Sequence, residues 1–247
     1  MSGHRYAIIS DIHGNAEAMT AVLAEARRLG ADKICCLGDI VGYGVSAVEC
    51  LRLARENCDF IIRGNHDEQV RPPRHPDMRE EAIQALEYTA SVLPPEDVDW
   101  LHGLPDVLEP DGLFVICHGA LTQRDDYILS TEAALANWTL LEKRFPGKNV
   151  AFFGHTHLPM ALTRTGAVTD FAAGGRVTVD PTRFYLCNPG SVGQPRDRNP
   201  AACFIVFDAE SGQMLWKRVP YDVAAEQRKM QEAGAAEKSW KRIALGR

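Results

Sequence analysis

No apolar run in this 247-residue chain approaches the length at which a helix spans a bilayer, so no membrane-spanning helix is expected. The N-terminus, Met-Ser-Gly-His-Arg-Tyr, lacks the apolar stretch and small-residue cleavage site of a secretory signal and leads straight into a short apolar strand. Positive charge is also short. The 27 Lys and Arg stand against 33 Asp and Glu, a net charge of −6, so there is no bulk field to hold a nucleic-acid polymer. The seven cysteines are odd in number and include no Cys-x-x-Cys spacing, which argues against a disulfide framework or a thiolate metal site. Cys35, Cys36, Cys117 and Cys203 lie in apolar runs and read as reduced small hydrophobes. Internal repeats and low-complexity segments are missing as well, and the expected location is the cytoplasm.

What is present suits one α/β domain over residues 1–247. The chain is 45% hydrophobic and 24% charged, ordinary for a globular protein with a substantial core. Residues 6–10, 33–37 and 60–63 are β-rich apolar runs. Between the first two, Met19, Val22, Leu23, Ala26 and Leu29 recur at helical spacing until Gly30; after the second, Ser46 and Glu49 have the spacing of a capping box opening a helix over about 46–55. This β-α-β-α-β order predicts a parallel sheet with right-handed crossovers. Helices are expected over about 83–93, 96–102 and 131–144, and a hairpin over 107–117 turned by Pro110-Asp111-Gly112. A strand over 150–153 and six more between 159 and 219 follow. A polar helix over about 222–233 precedes a tail, residues 234–247, that is expected to fray. A βαβ half followed by an antiparallel half suits two stacked sheets with helices outside.

Six short sites carry oxygen or imidazole donors, most of them just after an apolar run: Asp11-Ile12-His13, Gly38-Asp39, Gly64-Asn65-His66-Asp67, His118-Gly119, and Gly154-His155-Thr156-His157 supplying two. Each has a plainer reading alone. Asp11 or Asn15 caps the next helix, Asp39 is a turn residue, and His155 and His157 are solvated. If residues 11–13 are extended, Asp11 and His13 project on one side at the carboxyl end of their strand, where ligands of open α/β sheets gather. Five of the eight histidines fall at such strand ends; His4, His75 and His102 fit no motif and read as surface or capping residues.

In this order the set resembles the calcineurin-like metallophosphoesterases, from about Tyr6 to about Tyr221. The resemblance implies a four-layer α/β/β/α sandwich and a dinuclear centre that hydrolyses small phosphodiesters or phosphomonoesters with a bridging hydroxide. It implies one ion held by Asp11, His13, Asp39 and His157, a second by Asp39, Asn65, His118 and His155, and His66 as the catalytic histidine. Oxygen and imidazole donors suit manganese, iron, zinc or nickel, with manganese favoured. Arg63, Arg124 and Arg196, with Arg198, are candidates to meet substrate oxygens, and the helical segments within 66–149 are expected to rise over the metals. The Ser/Thr phosphatase branch has Asp-Arg-Gly after the bridging aspartate. Here the stretch is Gly42-Tyr43-Gly44, which weakens that reading and leaves the orienter of His66 open. Dinucleoside polyphosphate hydrolysis, nuclease activity and a noncatalytic scaffold are the other readings weighed.

Overall fold

The computed structural model describes residues 4–247; Met1, Ser2 and Gly3, read above as leading into the first strand, lie outside the described residues. Strand and helix alternate at first: β1 (Arg5–Ile9), α1 (Ala16–Arg28), β2 (Lys33–Cys36), α2 (Ala47–Asn57) and β3 (Phe60–Ile61). Then come α3 (Asn65–Glu68), α4 (Glu80–Val92), α5 (Pro95–Gly103), β4 (Val107–Leu108), β5 (Val115–Cys117), α6 (Thr131–Arg144) and β6 (Val150–Phe152). Six strands complete the sheets: β7 (Met160–Thr163), β8 (Gly166–Val168), β9 (Gly175–Thr178), β10 (Tyr185–Asn188), β11 (Ala202–Asp208) and β12 (Gln213–Val219). The described chain closes with α7 (Val223–Glu232) and α8 (Glu237–Ile243).

Two six-stranded sheets result, ordered β3-β2-β1-β11-β12-β9 and β4-β5-β6-β10-β7-β8. β1, β2 and β3 run parallel, as the alternating sequence predicts, and the C-terminal hairpin β11–β12 joins them antiparallel through β1. In the second sheet β5, β6 and β10 are the parallel centre.

Side-chain alternation with period two sorts the strand residues into layers. Ala7 and Ile9 of β1 face α1 and α2, packing with Met19, Val22 and Leu51, whereas Tyr6 and Ile8 face the other sheet. Across that inner interface lie Phe114, Ile116 and Phe152 of the second sheet, all buried, while Trp216 of β12 packs into the same layer from the first. On the far side of the second sheet, Ala151 and Phe153 pack with Trp138 and Leu141 of α6. Three apolar layers between four structural ones make the expected α/β/β/α sandwich. Each fully buried Phe or Ile in it contributes roughly 1.5–3 kcal/mol.

Three local readings are corrected. Ser46 precedes α2, but its side chain makes no capping hydrogen bond; its backbone N–H is instead donated to the Gly14 carbonyl at 2.9 Å, which binds α2 to the first strand's loop. At α1 the cap is Asn15, whose Oδ1 accepts from the Ala18 N–H at 3.0 Å. Residues 234–247 do not fray as a whole, because α8 docks through Ile243, buried to 3% exposure, while Lys238 pairs with Glu81 of α4 at 2.9 Å. Finally, α6 does not rise over the candidate site. Its apolar face, Ala134, Trp138 and Leu141, is drawn to the outer face of the second sheet.

Candidate metal centre

All seven expected ligands converge where the two sheets bring their strand ends together, and all are buried. The route differs from simple strand alternation. Asp11 and His13 are not extended; they have φ of 54° and 49°, and Asp39, His155 and His157 likewise have φ of 53°, 64° and 60°. Left-handed backbone costs a residue with a Cβ roughly 1–2 kcal/mol, and such strain clusters at functional sites. Backbone hydrogen bonds between the loops hold it: Asp11 N–H donates to Gly38 O at 3.1 Å and His13 N–H to Asp39 O at 2.8 Å. The His155 N–H donates to both carboxylate oxygens of Asp11, at 3.2 and 3.1 Å.

The ring nitrogens are set by what lies behind them. Nδ1 of His13, His118 and His157 faces a backbone carbonyl, of Val41 at 3.2 Å, Leu37 at 2.7 Å and Gln194 at 2.6 Å. A carbonyl only accepts, so each Nδ1 carries a proton and each Nε2 is the nitrogen turned toward the centre, the arrangement found behind metal-ligating histidines. His155 is reversed, with Nε2 on the Asp125 carbonyl at 3.1 Å and Nδ1 left to the centre. His13 Nε2 and His157 Nε2 then face each other at 3.1 Å with no proton between them. Two opposed lone pairs at that separation need a cation.

Charge agrees with this. Burial pushes His13 and His157 well below the usual imidazole range and His155 down to about 3, so their rings are neutral donors. Burial also pulls His118 down, but the carboxylates of Asp39 and Asp11 outweigh it and lift it to about 10. Two buried carboxylates thus demand positive charge at a place where a proton or a metal ion can supply it. Three groups of donor atoms close enough to share an ion are present among the described residues: Asp11, His13 and His157; His13, Asp39 and His66; and Asp39, His118 and His155. Asn65 Oδ1 lies 3.1 Å from His118 Nε2.

Above the centre opens a cavity of about 280 Å³ whose floor exposes Asn65, His66 and His155. Its walls come from both segments that separate the ligands, through Gln69, Met78 and Arg79 on one side and Asp125 and Tyr127 on the other. Of the candidate arginines only Arg196 lines it. Arg63 is turned to Asp106 at 3.0 Å and the His102 carbonyl at 2.9 Å. Arg124 pairs with Glu68, Asp106 and Asp125, and Arg198 donates its backbone N–H to Gly246 O at 2.8 Å. Chain adjacency to a ligand did not predict side-chain direction.

Two residues escaped the sequence reading. His75, read as a surface or capping residue and indeed exposed, also lines the cavity. Asp67 accepts four backbone N–H groups, from Gly64 at 2.9 Å, Asp39 at 2.8 Å, Ile40 at 2.9 Å and Val41 at 3.2 Å, and so ties the Asp39 loop to the Asn65 loop. Its place beside His66 in Gly64-Asn65-His66-Asp67 was the available signal.

Comparison with known proteins follows the geometry. Residues 5–212 match the calcineurin-like phosphoesterase superfamily domain. An uncharacterized protein of Methanocaldococcus jannaschii is 34% identical, the alignment covering 98% of each chain. A metallophosphoesterase from Sphaerobacter thermophilus, known by crystal structure, is 32% identical with a TM-score of 0.86, over 99% of this chain and 100% of that one. A hypothetical protein from Pyrococcus horikoshii shares the fold at 21% identity and a TM-score of 0.76, over 98% of both chains. Among the described residues no helix is long and apolar enough to cross a membrane.

Proposed function

Since this chain belongs to the calcineurin-like phosphoesterase superfamily and is a metal-dependent phosphoesterase, we propose that it uses two ions, bridged by Asp39, to hydrolyse a small phosphodiester or phosphomonoester. Asp11, His13, Asp39 and His157 would hold one ion; Asp39, Asn65, His118 and His155 would hold the other. One observation carries the two-ion reading: Asp39 Oδ2 lies 3.6 Å from His13 Nε2 and 3.4 Å from His118 Nε2, between two separate imidazole groups. Its other oxygen is engaged by the His66 N–H at 2.8 Å, which fixes the carboxylate plane. When bound, the ions polarise phosphoryl oxygens and activate water for in-line displacement.

The chain's own residues supply the rest. His66 sits at the cavity floor beside Asn65 with Nδ1 sealed in the protein, so Nε2 is the nitrogen available to protonate the leaving oxygen. Arg196 meets a non-bridging oxygen. A cavity of about 280 Å³ favours a small substrate over a polymer, and diesters are proposed ahead of monoesters. The mixed oxygen and nitrogen donor set suits manganese, iron, zinc and nickel alike, and manganese is the ion proposed. Seven free cysteines suit the reducing cytoplasm.

Metal analysis of purified protein, joined to a hydrolysis panel of dinucleoside polyphosphates, cyclic dinucleotides and nitrophenyl esters, tests this. Two divalent ions per chain are expected, with turnover lost on chelation and restored by manganese. Full turnover after verified metal removal, or with one ion per chain, would sink the two-ion reading. His66→Ala is expected to keep both ions yet lower turnover by roughly 10²–10⁴-fold on a substrate with a poor leaving group, and by less on a nitrophenyl ester. Small, equal losses on both substrates would remove His66 from the chemistry.

A further inference from the structure

His66 has no polar group behind its ring. Nδ1 is buried without a hydrogen-bond partner, and the backbone N–H bond to Asp39 does not fix the ring plane. What stands there is the stretch Gly42-Tyr43-Gly44. Gly42 has φ of 93°, and a Cβ on it would fall 2.4 Å from His66 Nδ1, so only glycine lets the imidazole lie flat against this turn. Tyr43, itself at φ 52°, places its ring 4.8 Å from that of His66 and 4.8 Å from that of His13, while His13 and His66 are also 4.8 Å apart. Three rings therefore wedge one another. Such pairs contribute about 0.5–1.5 kcal/mol beyond their area.

The wedge is braced from outside. The Arg242 guanidinium of α8 lies 6.0 Å from the Tyr43 ring centroid, and α8 is held in turn by Ile243 and by Glu81, which reaches Lys238 at 2.9 Å and Arg242 at 3.9 Å.

We propose that Tyr43, braced by Arg242, is the positioning residue for His66, setting its ring plane by packing where no carboxylate is available to do so by hydrogen bonding. This rests on the reading of His66 as proton donor. With Tyr43 in place the imidazole has one ring orientation, and Nε2 meets the leaving oxygen. Without it the ring is free to rotate, and misplacement on the order of 1 Å costs about 10²-fold in a positioned reaction.

Tyr43→Leu, Tyr43→Phe, Arg242→Met, His66→Ala and the double variant Tyr43→Leu with His66→Ala are compared on an alkyl diester and a nitrophenyl ester, with metal content and melting temperature recorded for each. Tyr43→Leu is expected to lower kcat on the alkyl diester by roughly 10–10²-fold, less on the nitrophenyl ester, with KM and bound metal unchanged. Tyr43→Phe restores most of that loss, and Arg242→Met shows the same selective loss in smaller measure. In the His66→Ala background, Tyr43→Leu adds nothing. Equal losses on both esters, a loss that persists without His66, or a loss that follows bound metal would each overturn the proposal. A His66→Ala protein with no selective loss overturns the proton-donor reading first and this inference with it. Selective loss in His66→Ala but none in Tyr43→Leu overturns this inference alone.

Discussion

His157 and His66 flank His13 at the same ring separation, 4.8 Å, and are held by opposite means. His157 donates Nδ1–H to the Gln194 carbonyl at 2.6 Å, which fixes both tautomer and direction. His66 has no partner on Nδ1 and is gripped only by neighbouring rings. A metal ligand must aim one lone pair permanently, and a carbonyl behind the ring does that. A group that gives up and regains a proton is better served by a support that does not commit either nitrogen. The same contrast separates the two walls of the centre, one tethered by backbone and one packed.

The largest disturbance is expected where the walls meet. Asp39→Asn weakens the group that stands between His13 and His118, so both ions should be lost and turnover should fall further than the roughly 10²–10⁴-fold expected of His66→Ala. Metal content by elemental analysis decides it; retention of two ions would show that the tethered wall does not depend on Asp39. Next comes Asp67→Ala, which strands four buried N–H donors. A loss of about 3 kcal/mol or more in urea unfolding is expected, with metal affinity reduced about 10–100-fold. Unchanged affinity would place Asp67 in folding only.

A third test moves the contrast away from the centre. Both carboxylate oxygens of Glu226, on α7, are buried without partners, much as His66 Nδ1 is. Burial lifts its pKa to about 7, Lys229 opposing and Glu17 and Glu49 reinforcing. The folded chain therefore holds this proton between pH 4.5 and 7 while the unfolded chain releases it. Stability falls with rising pH across that window, by about 3 kcal/mol in total, and no further above it. Glu226→Gln should flatten the fall in parallel urea titrations, and identical pH profiles for the two proteins would show Glu226 to be satisfied.

The smallest effects on turnover are expected from Arg63→Ala and Arg124→Ala, whose half-buried side chains are engaged in ion pairs with Asp106 and Glu68. Neither should change KM, whereas Arg196→Ala should raise it. A KM increase in Arg124→Ala equal to that in Arg196→Ala would show that Arg124 leaves its ion pairs to reach substrate.

The buried cluster of candidate ligands was legible because most of its members follow an apolar run, and runs of that kind become strands whose ends gather. Their backbone was not. Asp11 and His13 read as extended, but the turn that aims them is left-handed and held by Gly38 and Asp39, residues nearly thirty positions downstream that local pattern cannot see. Arg63 shows the limit of adjacency: it directly precedes Gly64-Asn65-His66, yet its side chain leaves toward Asp106. The segment with Lys238, Lys241 and Arg242 was expected to fray as a chain terminus. Its partners, Glu81 and Tyr43, are supplied by distant parts of the fold. The four layers were readable from the βαβ half followed by an antiparallel half, together with the family resemblance; which residues face which layer, Tyr6 and Ile8 toward the other sheet and Ala7 and Ile9 toward the helices, is seen in the fold.

The bond from His155 N–H to the Asp11 carboxylate joins residues 144 positions apart, and the Ser191 hydroxyl reaches the Asp11 carbonyl across 180. Closing loops of that length is slow, and the strained turns at Asp11 and His155 gain their support only after it is done. During refolding, then, helix and sheet signals should recover ahead of metal uptake, and catalytic competence should arrive as the final event in the chain's history.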